Sequence, residues 1–218
     1  MSKIKVLLAD DHTLFRAGLR SLMELESDIQ VVGEAENGRL AVEITKILHP
    51  EIVVMDIAMP LLNGLEATRQ IMHEAPNTKI LILSGYSNDD YIDKVIDAGA
   101  CGYLVKQSSP SAMIKAIHEI HKGNKIYSPS ISNHVRERFR GKTADGKPVK
   151  IQGVDLTSRE TEVLQLVAEG QANKQIADEL GICVKTVEKH RQQLKKKLKI
   201  NDIAGLTRYA ITAGIIEK

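Results

Sequence analysis

Two aspartates, Asp10 and Asp11, follow the apolar run Ile4-Lys5-Val6-Leu7-Leu8-Ala9, and a third, Asp56, follows Ile52-Val53-Val54-Met55. Each stands at the carboxyl end of a strand-like segment, where open α/β sheets bind their ligands. If the two strands are neighbours, three carboxylates converge on one sheet edge. Charges that close repel by several kcal/mol in a partly dry site unless a cation neutralises them. An all-oxygen ligand set suits Mg²⁺, with positions left for water and phosphate oxygens. Ser84 ends the run Ile80–Leu83, and Lys106 ends Gly102–Val105, with Tyr103 three residues before it. A hydroxyl, an ammonium and three carboxylates on one edge can hold a metal and a phosphoryl group. Asp56 is then the nucleophile, because it ends the most buried strand. Asp10 and Asp11 hold the metal, Lys106 pairs with a non-bridging oxygen, and Ser84 donates a hydrogen bond to another. Taken singly, each has a plainer reading: a turn serine, a solvated lysine, aspartates capping a helix. The weight comes from all five falling at strand ends.

The elements that must place them alternate. Strand-like runs at Lys5–Asp10, Ile29–Ala35, Ile52–Asp56, Lys79–Ser84 and Gly102–Val105 are separated by helix-like runs. Those helices carry Leu14, Leu19, Leu22 and Met23; Leu40, Ala41, Ile44, Ile47 and Leu48; Leu65–Ala75; Tyr91–Ala98; and Ala112–His121. The strands are apolar on both faces, as in a parallel sheet covered by helices. Five β/α units with short joints predict an α/β fold, a five-stranded, parallel, doubly wound, flavodoxin-like domain over residues 1–122. Residues 123–153 hold Pro129, Gly141, Gly146 and Pro148 among many polar residues and read as a linker. Ile131–Phe139 could form a helical piece within it. Residues 154–218 read as a second, small, all-α domain of four helices.

The overall charge of +2 hides an asymmetry. Residues 1–122 hold 12 Lys+Arg against 17 Asp+Glu, a net −5, and residues 123–218 hold 18 against 11, a net +7. An acidic half joined to a basic half predicts different partners, with nucleic acid on the basic side. No run approaches the ~18 apolar residues of a membrane span, and no segment reads as a signal peptide, so the cytoplasm is expected. Cys101 and Cys183 are far apart and fit no zinc spacing; both read as reduced thiols.

In the basic half, Thr157 and Glu160 fit a capping box ahead of Val163, Leu164, Leu166 and Val167. A short helix from Asn173, which caps it, turns at Gly181 into a longer helix with Val184, Val187, Leu194 and Leu198 along one stripe. That is the spacing of a helix-turn-helix. The opposite face carries Lys185, Glu188, Lys189, Gln192 and Lys196, able to read base edges and bind phosphates. Lys174 stands close enough to the turn to touch the DNA backbone.

The motifs together resemble two-component response regulators of the NarL/FixJ type. In the receiver half the matching pieces are Leu8-Ala9-Asp10-Asp11-His12, Val54 to Gly64, Leu83-Ser84 and Gly102-Tyr103-Leu104-Val105-Lys106. In the other half, Leu156 to Glu160 and Thr186 to Arg191 resemble the LuxR-type helix-turn-helix. The resemblance implies that Asp56 accepts phosphate from a sensor histidine kinase. It implies that Asp11, Asp56 and the backbone carbonyl of Ala58 bind Mg²⁺ with help from Asp10, and that Ser84 and Tyr103 form a switch pair. Phosphorylation would draw the Ser84 hydroxyl inward and let Tyr103 rotate from solvent into the vacated space. Glu188, Lys189 and Gln192 match base-reading positions, with Lys185, Thr186, Arg191 and Lys195 as phosphate contacts on double-stranded DNA. A homodimer on two half-sites is implied, with Arg208, Tyr209 and Ile211 as candidate contacts. Cys183 departs from the family, which places Ser or Thr at that helix N-cap.

Three other readings compete with this one. Phosphatases of the haloacid dehalogenase class need a second Asp two residues after the nucleophile, and this chain has Ala58 there. Without that base, stored phosphate rather than turnover is expected, so the chain is no enzyme beyond Mg²⁺-dependent self-phosphorylation. Tyr86, two residues past Ser84, could further shield the site. A receiver acting through protein contacts is argued against by the basic reading face. An acyl-homoserine-lactone receptor is argued against by the receiver carboxylates.

Overall fold

A computed structural model describes residues 3–85, 89–129, 131–132, 135 and 156–216, the side chains of 89–91 excepted. The chain forms two compact units, Met1–Met59 with Asn63–Pro148, and Pro60–Leu62 with Val149–Lys218.

In the first unit β1 (Ile4–Ala9), β2 (Ile29–Ala35), β3 (Ile52–Met55), β4 (Lys79–Ser84), β5 (Gly102–Val105) and β6 (Ile126–Tyr127) form one sheet, ordered β2-β1-β3-β4-β5-β6. Every pairing is parallel. The helices α1 (Thr13–Glu24), α2 (Gly38–Leu48), α3 (Gly64–Glu74), α4 (Asp89–Asp97) and α5 (Pro110–His121) supply the crossovers. All four residues of β3 are buried, as a central strand covered on both faces requires. Several helix starts carry their own stop signals: the side chains of Asn37, Asn63 and Ser109 accept from the backbone N–H three residues on. The doubly wound parallel sheet is the expected one.

The strand count differs, six rather than five. β6 has only two residues and lies in the stretch read as a linker, where period-2 alternation has nothing to act on. Three positions assigned to helical apolar faces also differ: Leu14 is 88%, Ile47 is 74% and Leu48 is 38% exposed. The expected helical piece Ile131–Phe139 is helical at 131, 132 and 135, and its other residues lie outside those described. So do Tyr86 and the Gly141–Gly153 part of the linker.

The second unit consists, among described residues, of α6 (Ser158–Ala168), α7 (Asn173–Leu180), α8 (Val184–Leu198) and α9 (Ile203–Thr212). Its core gathers Val163, Leu164, Val167, Ile176, Leu180, Val187, Leu194, Leu206 and Ala210. The capping box at Thr157 and Glu160 is present. Val184, assigned to the apolar stripe of α8, is instead 40% exposed.

Candidate functional site

Parallel register brings the acidic strand ends together. Ala9 pairs with Met55, so the next residues, Asp10 and Asp56, lie side by side, and Asp56 N–H donates to the Ala9 carbonyl at 2.8 Å. Ser84 pairs with Val105, and Lys106 N–H donates to the Ser84 carbonyl at 2.8 Å. Four strands therefore aim Asp10, Asp56, Ser84 and Lys106 at one edge of the sheet.

The Lys106 ammonium sits between the carboxylates, 2.7 Å from Asp56 Oδ2 and 2.9 Å from Asp10 Oδ2. Asp56 Oδ1 accepts from the Ile57 N–H at 2.8 Å. Asp10 Oδ1 accepts from the His12 N–H at 2.9 Å. Both acids are nearly shut off from water, at 2% and 4% exposure. Burial pushes the Asp56 carboxyl up to about 6, against the pull of Lys106 and with a further push from Asp10. Burial pulls on Lys106 in the opposite sense, but its bonds to Asp56 and Asp10 hold the ammonium above its ordinary range. At neutral pH the pocket therefore holds an ionised carboxylate beside an ammonium.

Metal fit can be tested on the oxygens. Ligand atoms of Asp10, Asp11, His12 and Asp56 lie within 4.8 Å of one another. Asp11 Oδ1 is buried and has no hydrogen-bond partner; His12 Nδ1 is 2.8 Å away but out of alignment. A carboxylate oxygen shut from water without a donor is a cost that a hard cation relieves. The donor set fits Mg²⁺. Ala58 follows two residues after Asp56, half-buried in the loop before α3.

Four residues quoted only inside motifs, or not at all, prove to shape the pocket. Gly64 is forced by contact: a Cβ there would stand 1.8 Å from the Asp56 carbonyl oxygen. Arg16 donates to the Asp10 carbonyl and to Glu34 Oε2, tying α1 to the acidic edge. The Phe15 ring lies 4.9 Å from the Lys106 ammonium, a cation–π distance. His12 reaches both Asp10 and Asp11. Arg16 and Phe15 carry a usable signal, since the first helix after Asp10-Asp11 must lean over the same edge.

Ser84 and Tyr103 are both buried, and their hydroxyls are hydrogen-bonded. Burial raises the Tyr103 hydroxyl above its usual range, with the Ser84 bond acting against it. Of the two positions expected for Tyr103, the structure has the inward one.

On the second unit, α7, a turn at Gly181 with φ +61, and α8 form the helix-turn-helix. Lys185, Glu188, Lys189, Gln192 and Lys196 are all exposed on α8, whereas Thr186, Arg191 and Lys195 are half-buried. Arg191 donates to Asn173 Oδ1 at 2.8 Å. Asn173 was expected to cap α7; the N-cap is Ala172, and Asn173 spends its amide on Arg191 instead. Lys197 Nζ reaches Glu160 Oε2 at 2.6 Å, and Arg159 donates to the Leu180 carbonyl at 2.8 Å. Three side-chain bonds thus set the angle at which α8 is presented. Cys183 makes no capping bond with its side chain. Its Sγ lies 3.1 Å from Thr186 Oγ1, and that bond holds the thiol below its ordinary range.

Residues 6–118 match the response regulator receiver domain family, and residues 154–210 match the luxR family of bacterial regulatory proteins. LiaR, a transcriptional regulatory protein of Bacillus subtilis, is 38% identical over 207 residues, covering 95% of this chain and 96% of its own. The crystal structure of a LuxR-family two-component response regulator from Aurantimonas sp. shares 34% identity at a TM-score of 0.60, over 64% of this chain and 99% of that one. RcsB, solved as two dimers bound to two parallel DNAs, shares 26% identity at a TM-score of 0.58, over 95% of this chain and 98% of that one.

Proposed function

The chain belongs to the response regulators that join a receiver domain to a LuxR-type DNA-binding domain and control transcription, and on that premise we propose that Asp56 is its phospho-acceptor. A sensor histidine kinase is the donor. An Asp56 oxygen forms a bond to phosphorus as the donor's N–P bond breaks, and the bonding pair returns to the imidazole nitrogen. The observation that carries this is the placement of Asp56 at 4% exposure, ionised at neutral pH, 2.7 Å from the Lys106 ammonium.

Asp10, Asp11, Asp56 and the Ala58 carbonyl hold Mg²⁺, which when bound supplies charge neutralisation for the phosphoryl oxygens. Lys106 trades its bond to Asp56 for a bond to a phosphoryl oxygen. Ser84 turns from Tyr103 toward another, and Tyr103, which is already inward, gives up that bond and resettles beside it; this inward pair is the switch. Ala58 offers no general base, so the acyl phosphate is stored rather than turned over.

Residues 1–122 work as the receiver, 123–153 as a linker and 154–218 as the DNA-binding domain, acting in the cytoplasm. Glu188, Lys189 and Gln192 read bases. Lys185, Thr186, Arg191 and Lys195 hold phosphates. Phosphorylation promotes a homodimer on two half-sites about 34 Å apart, in line with the RcsB dimers on DNA.

The test is intact-protein mass spectrometry with acetyl phosphate and Mg²⁺, followed by gel shift on selected DNA. The wild type gains one phosphoryl group and tighter binding. Asp56→Asn gains neither. Equal behaviour of the two chains removes Asp56 from the mechanism.

A further inference from the structure

The sixth strand carries an inference that rests on the reading just given. β6 is the direct continuation of α5 toward the DNA-binding half, and it pairs with β5, the strand that holds Tyr103 and runs into Lys106. The register sets Gly102 against Ile126 and Tyr103 against Tyr127. Ile126 N–H donates to the Cys101 carbonyl at 3.2 Å, and Ser128 N–H to the Tyr103 carbonyl at 2.9 Å. The Ser128 hydroxyl oxygen then accepts from the Val105 N–H at 3.1 Å. One residue therefore grips β5 on both sides of Leu104, with Lys106 next in the chain.

Three further observations mark this as a built contact. Ser128 is only 2% exposed. A Cβ at Gly102 would lie 3.0 Å from the Ile126 carbonyl oxygen and closer still to Ile120 and Leu81, so a residue without a side chain is what lets the strands approach. Beyond the grip, the Ser128 carbonyl accepts from Ile131 and Ser132 N–H at 2.9 and 3.0 Å, and Ser132 Oγ donates back to the Tyr127 and Ser128 carbonyls. Ile131 and Val135 are buried. The chain is thus anchored to β5 before it leaves for the second domain.

We infer that Ser128 is a positioning residue that couples the phosphoryl pocket to the interdomain segment. When Tyr103 and Lys106 rearrange around a phosphoryl group, β5 moves, and Ser128 carries that movement into the chain leading to the DNA-binding helices. The coupling is a hydrogen-bonded element shared by the switch strand and the segment leaving the domain, which is a physical connection rather than a line of neighbours.

The experiment uses the full chain and the variant Ser128→Ala, with acetyl phosphate as the phosphodonor. Three readouts are taken: phosphoryl occupancy by mass, DNA affinity with and without phosphodonor, and hydrogen exchange at the Val105 amide. Wild type gains affinity on phosphorylation by a factor in the usual coupling range of about 5–150. Ser128→Ala reaches the same occupancy, exchanges Val105 faster, and gains no more than about twofold, a small part of that range. A variant that merely loosens the fold would lose occupancy along with the gain, and that result overturns the inference. So does a full affinity gain with Val105 exchange accelerated, and so does unchanged exchange. A wild type that takes up phosphate without gaining affinity brings down the proposed function as well, whatever the variant does. Ser108→Ala, whose hydroxyl lies 3.5 Å from that of Ser128, is expected to behave as wild type in all three readouts.

Discussion

The receiver pocket and the reading face of α8 use the same charged residue types under opposite physical conditions. In the pocket, Lys106 is only 19% exposed in its side chain and bridges two acids that are 3% and 4% exposed. On α8, Lys185, Lys189 and Lys196 are exposed. The first arrangement is a set of charges that need one another to be tolerated away from water. The second is a set that water alone can solvate, and the function proposed for it is to meet a polyanion. The difference teaches where each half is vulnerable. Pocket charges affect folding, pH response and ion response, whereas the helix charges affect binding and its dependence on salt.

The sharpest way to break this contrast is to delete one lysine from each side. Lys106→Met leaves Asp10 and Asp56 facing each other without compensation, and the receiver should lose about 3–5 kcal/mol of stability in the absence of Mg²⁺. Lys189→Ala should change stability by less than about 0.5 kcal/mol. Urea unfolding of the two variants at neutral pH checks both figures. A loss at Lys106 no larger than that at Lys189 would mean that the pocket is wet enough to screen its own charges. Mg²⁺ should recover part of the loss in Lys106→Met, because the acidic oxygens, Asp11 Oδ1 included, remain in place.

The second contrast is pH. The Asp56 carboxyl is raised from 3.8 to about 6 in the folded protein. Folding therefore favours its protonated form. The stabilisation is fully present below about 4 and is lost as the pH rises through about 6. Two units at 1.36 kcal/mol each bound the loss at about 3 kcal/mol. Asp56→Asn should lack this part of the pH profile and be the more stable chain at pH 7 without metal. Saturating Mg²⁺ should shrink the difference, since a bound cation favours the carboxylate. The measurement is thermal or urea unfolding of both chains from pH 4 to 8. Parallel profiles would show that the burial of Asp56 is not felt as charge.

These contrasts also explain what could be read from residues alone. Strand periodicity and a terminal carboxylate were enough to bring Asp10 and Asp56 together, because parallel register leaves few ways to arrange such ends. The helix-turn-helix was legible from Gly181 and the stripe through Val187 and Leu194. What escaped shares one cause: contacts set by distance in space rather than by a period in sequence. β6 is two residues long and sits among polar ones. Gly64 looks like any loop glycine until its approach to the Asp56 carbonyl is measured. Asn173 has the side chain of a cap, and only tertiary structure shows it turned to Arg191, eighteen residues away. Leu14, apolar at helical spacing, is 88% exposed, while its neighbours Phe15 and Arg16 are the residues of that turn that reach Lys106 and Asp10.

A smaller effect is expected at Cys183, the N-cap of α8 without a side-chain capping bond. Cys183→Ser restores an oxygen that can accept from the first-turn N–H groups, and the melting temperature of the DNA-binding domain should rise by a few degrees. The same substitution in a chain whose receiver is destabilised by Lys106→Met should give the same rise, if the two units hold their charges for separate reasons.

The finest test separates the roles assigned along α8 itself. Lys185 is exposed near the helix start, and Gln192 is exposed two turns later. If Lys185 neutralises a phosphate, Lys185→Ala should weaken binding to every sequence alike and reduce the slope of log affinity against log salt by about 0.9. If Gln192 reads a base edge, Gln192→Ala should cost about 1–3 kcal/mol on the selected site, little on random DNA, and leave the slope unchanged. Fluorescence anisotropy at several salt concentrations, on selected and random duplexes, yields all four numbers. Arg191 is the informative third case, because its guanidinium already donates to Asn173. Arg191→Ala with a lowered slope makes it a phosphate contact. Arg191→Ala with an unchanged slope, weaker binding on every duplex, and the same loss in Asn173→Ala makes it a strut that aims the helix. The slope decides between the two, because a strut releases no counterions when DNA binds, however much affinity depends on it.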